Sequence, residues 1–286
     1  MIVEGWFIHS LIAVTAVGVT MALFKVPTSK GHNKFVYSFF GFVVASILSF
    51  IFLRSSINID SNAMLFGLGW GSLYALIVLL QMEILKKLDT SAVFPITGTI
   101  SNVFVLIIGL LFFHDKLSIQ QFLGVSLAFF TVGFYNQIHK HITFKNGLLF
   151  GASAIVLLST LAKFIQKFGS ISTEIENFIF WQLFFAMLTS AIILIFIAGK
   201  DTSWKSGFSK YIIVWAIALG TTTFIGTVEI VRALTTGPFS LVYTINSFYI
   251  LITSLIAWKF FGERLTKHKI IFLLIAIISV ILMGLK

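Results

Sequence analysis

The sequence predicts an all-α integral membrane protein, with ten transmembrane helices arranged as two inverted five-helix repeats. Three observations predict it. Of the 286 residues, 58% are hydrophobic and only 10% charged, with a mean hydropathy of +1.03. A soluble domain carries roughly 25% charged residues, so this excess of apolar surface must face lipid. The apolar residues also fall into stretches of bilayer length, and the two halves of the chain repeat each other.

A bilayer core about 30 Å thick takes about 20 apolar residues per helix. In chain order the candidate spans are 6–24, 35–53, 63–84, 91–113, 119–138, 146–164, 177–198, 211–231, 239–261 and 269–285. Runs such as NVFVLIIGLLFF do not alternate as barrel strands do, and helices satisfy every backbone group in lipid within one segment. The loops between spans are short and leave no room for a soluble domain. The opening MIVEGWFIHSLIAV has an acid where a secretory signal carries positive charge, and no small-residue cleavage site follows it. The first span is therefore expected to stay in the mature protein. Gly67 and Gly71, and Gly147 and Gly151, have the spacing that lets helix backbones approach closely.

Charge and motif content exclude several classes. The 20 Lys and Arg residues lie in short clusters between apolar runs, as membrane-surface anchors do, rather than in a stripe for nucleic acid. The absence of cysteine excludes disulfides, thiolate metal sites and cysteine nucleophiles. The sequence has no nucleotide-binding loop, DxxxD pair or HExxH pattern. No cofactor and no metal are expected.

The repeat is visible residue by residue. At an offset of 146, EILKKLDTS (83–91) aligns with EIVRALTTG (229–237); at 148, FFHDKLS (112–118) aligns with FFGERLT (260–266). The chain thus divides into units 1–142 and 143–286. Five spans per unit send the second unit into the membrane from the opposite side. That is the inverted repeat of secondary transporters, whose solute sites lie near the midplane where the repeats meet.

The stretch RALTTGPFSLVYTINSFYILITSLIAWKFFGERLT resembles the ninth-helix signature of the EamA branch of the drug/metabolite transporter superfamily. The resemblance implies a ten-helix transporter in the cell (inner) membrane with both termini in the cytoplasm. The odd-numbered loops, with the span ends that flank them, hold 14 Lys and Arg and the rest of the chain six, so the positive-inside rule would put both termini outside. Both readings place the termini on one side.

Transport needs polar groups within the membrane, and these are few. Pro95, Thr99 and Asn102 share one face of the fourth span, and Pro95 is expected to kink or unwind it around a ligand. On the ninth span Tyr243, Asn246, Tyr249 and Thr253 share a face. The two surfaces, with Trp70 and Trp215 as caps, would form a neutral hydrogen-bonding cavity with aromatic walls, or polar contacts that hold the bundle together. Glu83 and Glu229 each have a base three residues on, Lys86 and Arg232, within helical reach. They are expected at opposite faces of the membrane, either as interfacial ion pairs or as two gates coupled to a proton or counter-solute. His9 and His114, near span ends, are read as solvated or hydrogen-bonded imidazoles. Asp115 and Glu263 are expected to complement the N-terminus of the last helix of their repeat.

Spans free of Lys and Arg at their middle argue for a neutral, zwitterionic or amine-bearing solute rather than a phosphorylated one. A secondary transporter, an exporter or exchanger working by alternating access, fits best. The alternatives are an intramembrane enzyme acting on lipid-linked substrates and a non-catalytic channel or scaffold.

Overall fold

The computed structural model describes residues 4–29, 32–86, 90–137, 146–198, 210–262 and 267–284. Each of the ten apolar stretches is helical. The first is α1 (Gly5–Leu23), continued by the short α2 (Lys25–Ser29). There follow α3 (Lys34–Leu53), α4 (Ser61–Leu85), α5 (Thr90–Leu111), α6 (Ile119–Gln137), α7 (Asn146–Ser172), α8 (Ile175–Ala198) and α9 (Lys210–Thr236). The ninth stretch is two helices in line, α10 (Phe239–Asn246) and α11 (Tyr249–Phe261), and the last is α12 (Lys267–Gly284). Among the described residues, seven helical segments are long and apolar enough to cross a membrane, and 100–111 and 119–130 are shorter apolar helices.

Packing fixes the helix directions. Residues 9, 17 and 20 of α1 meet 229, 226 and 222 of α9, so these two run antiparallel. Residues 67, 71 and 72 of α4 meet 181, 186 and 189 of α8 in the same order, so these are parallel. Gly284 packs on Phe7, which puts the end of α12 beside the start of α1. This terminal end also holds the turns at 54–60, 112–118, 173–174 and 237–238. The start of α1 and the end of α12 therefore lie at one end of the bundle.

Small residues set the closest crossings. A Cβ on Gly71 would lie 2.4 Å from the Gln182 carbonyl oxygen, and one on Gly67 2.7 Å from Trp181 Cβ. This is the backbone approach that the Gly67/Gly71 spacing predicts between α4 and α8. A second crossing joins α3 and α9, where a Cβ on Gly220 would lie 2.4 Å from the Gly41 carbonyl oxygen. Gly151 makes only ordinary contact with Ile84, and the surroundings of Gly147 lie outside the described residues.

The terminal-end turns are tied by side chains. Asp60 caps α4 by accepting from the backbone N–H groups of Asn62 and Ala63 at 3.1 and 3.2 Å. Asn58 bonds twice with Asn177, and its carbonyl accepts from Trp181 Nε1 at 3.0 Å. At the opposite end Asn33 caps α3. Each such N-cap typically contributes about 1 kcal/mol.

The expected kink falls elsewhere. The helix carrying Pro95 runs unbroken from Thr90 to Leu111, while the ninth span changes register at Ser247–Phe248. Pro95 is the sixth residue of α5, so it removes one hydrogen bond close to the helix start, just past the four N–H groups that lack intrahelical partners in any helix. In the ninth span, Thr244 Oγ1 donates to the Ser240 carbonyl and Ser247 Oγ to the Thr244 carbonyl, at 2.7 and 2.5 Å. Phe248 and Leu251 bond three residues back instead of four. Hydroxyls that bond back to carbonyls in this way bend helices without proline.

Candidate functional site

A cavity of about 130 Å³ lies between the two halves. From the first half, α1 contributes Val17, Thr20 and Met21; α4 contributes Trp70, Tyr74, Ile77 and Gln81; and α5 contributes Thr97, Gly98, Ser101 and Asn102. From the second, α7 contributes Ser159, Lys163 and Gln166, α9 contributes Thr222, Thr223 and Thr227, and the ninth span contributes Tyr243, Asn246, Ser247 and Tyr249. The spacing along α4 is that of one helical face, so the Trp70 and Tyr74 rings stack at 4.5 Å. Gly98 leaves room for the Tyr249 hydroxyl, which would lie 3.0 Å from a Cβ there.

Five of the expected solute residues, Trp70, Asn102, Tyr243, Asn246 and Tyr249, meet in this cavity. The side chains of Thr99 and Pro95 lie outside the described residues. Two further expectations fail. Trp215 is not part of the lining. Thr253 turns to α1, donating to the Gly18 carbonyl at 2.9 Å.

The residue that sequence reading missed is Lys163. The expected sixth span stopped at 164, which placed Lys163 at its edge and Lys167 beyond it, but α7 continues to Ser172. Both lysines therefore sit well inside the helix, and the premise that spans lack central Lys or Arg is wrong. Lys163 Nζ donates to Ser101 Oγ at 2.9 Å and Asn102 Oδ1 at 2.7 Å, and lies 5.3 Å from the centre of the Tyr243 ring. The signal was present: Ser159, Lys163, Gln166 and Ser170 recur at helical spacing through an otherwise apolar run.

From this site a buried polar chain leads to α8. Tyr243 donates its hydroxyl proton to Gln166 Oε1 at 2.7 Å, and Gln166 Nε2 donates to Gln182 Oε1 at 3.3 Å. Gln81 Oε1 and Asn246 Oδ1 are buried with no hydrogen-bond partner. Among the described residues lining the cavity there is one charged side chain, Lys163, and no carboxylate.

The four charged residues expected at the gates lie outside the lining. Glu83 pairs with Lys34 of α3 and with Lys86 at 3.0 Å. Glu229 Oε2 is 2.6 Å from His9 Nδ1, and Arg232 lies between Glu229 at 3.8 Å and Glu176 at 3.9 Å. Ile84 packs near the start of α7, whereas Lys167 near the end of α7 reaches Leu234, so the two glutamates do lie toward opposite ends.

Asp115 corrects a further expectation. It complements a helix N-terminus, but that of α10 rather than the helix that follows it. His114, at φ 51°, turns the chain back so that Asp115 crosses Gly109 and its Oδ2 accepts from Ser240 N and Oγ, each at 2.7 Å. On the other side of this joint, Lys167 Nζ donates to the Leu234 carbonyl at 2.5 Å and the Gly237 carbonyl at 3.2 Å, at the end of α9. Acid at a helix start and base at a helix end both suit the helix dipole. Beyond Tyr243, toward the terminal end, the rings of Phe239, Phe113 and Phe168 meet in succession, and Phe168 meets Phe164 one turn back on α7, in tilted or edge-on pairs with ring centres 4.8 to 5.2 Å apart. Glu263 lies outside the described residues.

A sequence model of the EamA-like transporter family matches residues 5–137 and again 145–285. The chain belongs to the EamA-like transporter family. The family model thus matches the chain twice, once in each half. One solved structure, titled only "Crystal structure of protein", superposes with a TM-score of 0.76 over 97% of this chain and 98% of its own, at 12% identity. It supports the fold alone. No curated protein matches the chain.

Proposed function

We propose that this EamA-family membrane protein is a secondary transporter of a small polar metabolite. It binds the solute between its halves and exposes it to the two ends in turn. The observation that carries this reading is the cavity itself, built from mid-helix polar side chains of both halves in a bundle otherwise made for lipid. Unpaired acceptors in such a place are costly unless something binds there. In this reading Trp70, Asn102, Tyr243, Asn246 and Tyr249 contact solute, joined by Lys163 and Gln81. Glu83 with Lys86 and Glu229 with Arg232 act at the two mouths, with a proton or counter-solute as driving partner. Membership of a transporter family speaks for transport over catalysis.

Counterflow in liposomes tests it: excess unlabelled solute inside should accelerate uptake of labelled solute. A rate independent of the inner solute would indicate a channel, and chemical conversion of the solute an enzyme. If Glu83→Gln and Glu229→Gln both exchange solute at the wild-type rate across the pH range, the gating and proton roles fall together.

A further inference from the structure

We propose that the transported solute carries a carboxylate, held by the Lys163 ammonium, and a second hydrogen-bond-donating group, held by the side-chain carbonyls of Gln81 and Asn246. The proposal rests on the transport reading above and narrows its substrate class. Of the neutral, zwitterionic or amine-bearing solutes expected from lysine-free spans, it keeps the zwitterions, adds hydroxy acids and drops those that lack a carboxylate.

Three observations carry it. An ammonium has three protons to donate. Lys163 gives two to Ser101 and Asn102, and the third has no partner among the described residues. No carboxylate among the described lining residues offsets its charge. A lone cation deep in a membrane is unfavourable, and an entering anion both matches the charge and takes the free proton.

The second observation is the pair of open acceptors. Gln81 and Asn246 are 5% and 9% exposed, and an oxygen of each lacks a donor. A solute with only a carboxylate would leave both unfilled, whereas a hydroxyl or amino group fills at least one. The third is the stacked Trp70 and Tyr74 pair, an apolar wall for the carbon stem that joins the two polar groups. A solute whose only charge is an amine would meet Lys163 as a like charge. A phosphate dianion would find one lysine where it needs two positive charges.

The test uses the purified full-length protein and its thermal unfolding, since a ligand of the folded state raises the melting temperature. The probes are 2-hydroxy acids from lactate to phenyllactate and amino acids from alanine to phenylalanine, each beside its own primary amide. At least one acid should raise the melting temperature with increasing concentration, and its amide should bind at least about 10-fold more weakly, as expected for losing a hydrogen bond to a charged group. Lys163→Met should remove the response and Lys163→Arg keep it. Comparing the hydroxy with the amino series tells which second group the open carbonyls accept. An amide as effective as its acid, or no effect from any acid, overturns the proposal, and this comparison holds on wild-type protein even where Lys163→Met does not fold. Amides that bind and exchange in counterflow would leave transport standing and remove the carboxylate. Acids that bind without exchange would do the reverse.

Discussion

Glu83 and Glu229 occupy matching places in the two halves, each near the end of a long helix with a base three residues on, yet they keep different company. Glu83 lies between two lysines and its side chain is 47% exposed; Glu229 faces a histidine and is 14% exposed. The difference comes from the helix packed alongside. Beside Glu83 is the start of α3, which opens with Lys34; beside Glu229 is the start of α1, which brings His9. Repetition in the sequence thus sets where an acid stands, while the neighbouring helix sets what it pairs with. The terminal end, where Glu229 lies, also carries the Phe239–Phe113 contact and the Asp115 and Lys167 contacts around the α9–α10 joint.

This contrast predicts a graded series of effects, measured as unfolding free energy in detergent. Asp115→Ala should cost most, about 3 kcal/mol, because it leaves two donors of Ser240 unpaired at a buried joint. An unchanged stability would mean that the joint is held by the aromatic contacts alone. Tyr243→Phe should cost about 2 kcal/mol, since Gln166 Oε1 loses its donor inside the bundle. Glu229→Gln should cost about 1 kcal/mol, and a double-mutant cycle with His9→Gln should show coupling of at least about 0.5 kcal/mol. Additive effects would show that the two side chains are adjacent without interacting. Glu83→Gln should be the mildest, at most about 1 kcal/mol and falling with added salt, as for exposed ion pairs.

The helical membrane class was legible because lipid imposes one requirement on every span, an apolar stretch of bilayer length, and composition records it directly. The two halves were legible because short matches at a near-constant offset survive in EILKKLDTS and EIVRALTTG. Five cavity-lining residues were legible because polar and aromatic side chains at helical spacing stand out in apolar spans. Lys163 was missed by a rule that works at span ends: a basic residue beside an apolar run usually marks the interface. Here α7 runs through it, and only the companions Ser159 and Gln166 on the same face distinguish a lining residue from an anchor. The Asp115 contact was illegible for another reason. Its partner is 125 residues away, and the contact depends on a left-handed turn at His114 that no local pattern announces. The pair Ser118 and Gln121, by contrast, forms a capping box at the start of α6 that the S-x-x-Q spacing does encode.

The central claim, a solute cavity that opens to the two ends in turn, is tested most directly by labelling one position. The chain has no cysteine, so Ser159→Cys places a single thiol in the cavity wall of α7. In sealed vesicles of known orientation, a membrane-impermeant maleimide should reach this thiol from either side, and a transported solute should shift the ratio of the two labelling rates. Labelling from one side only, unchanged by any solute that the protein binds, would contradict the account.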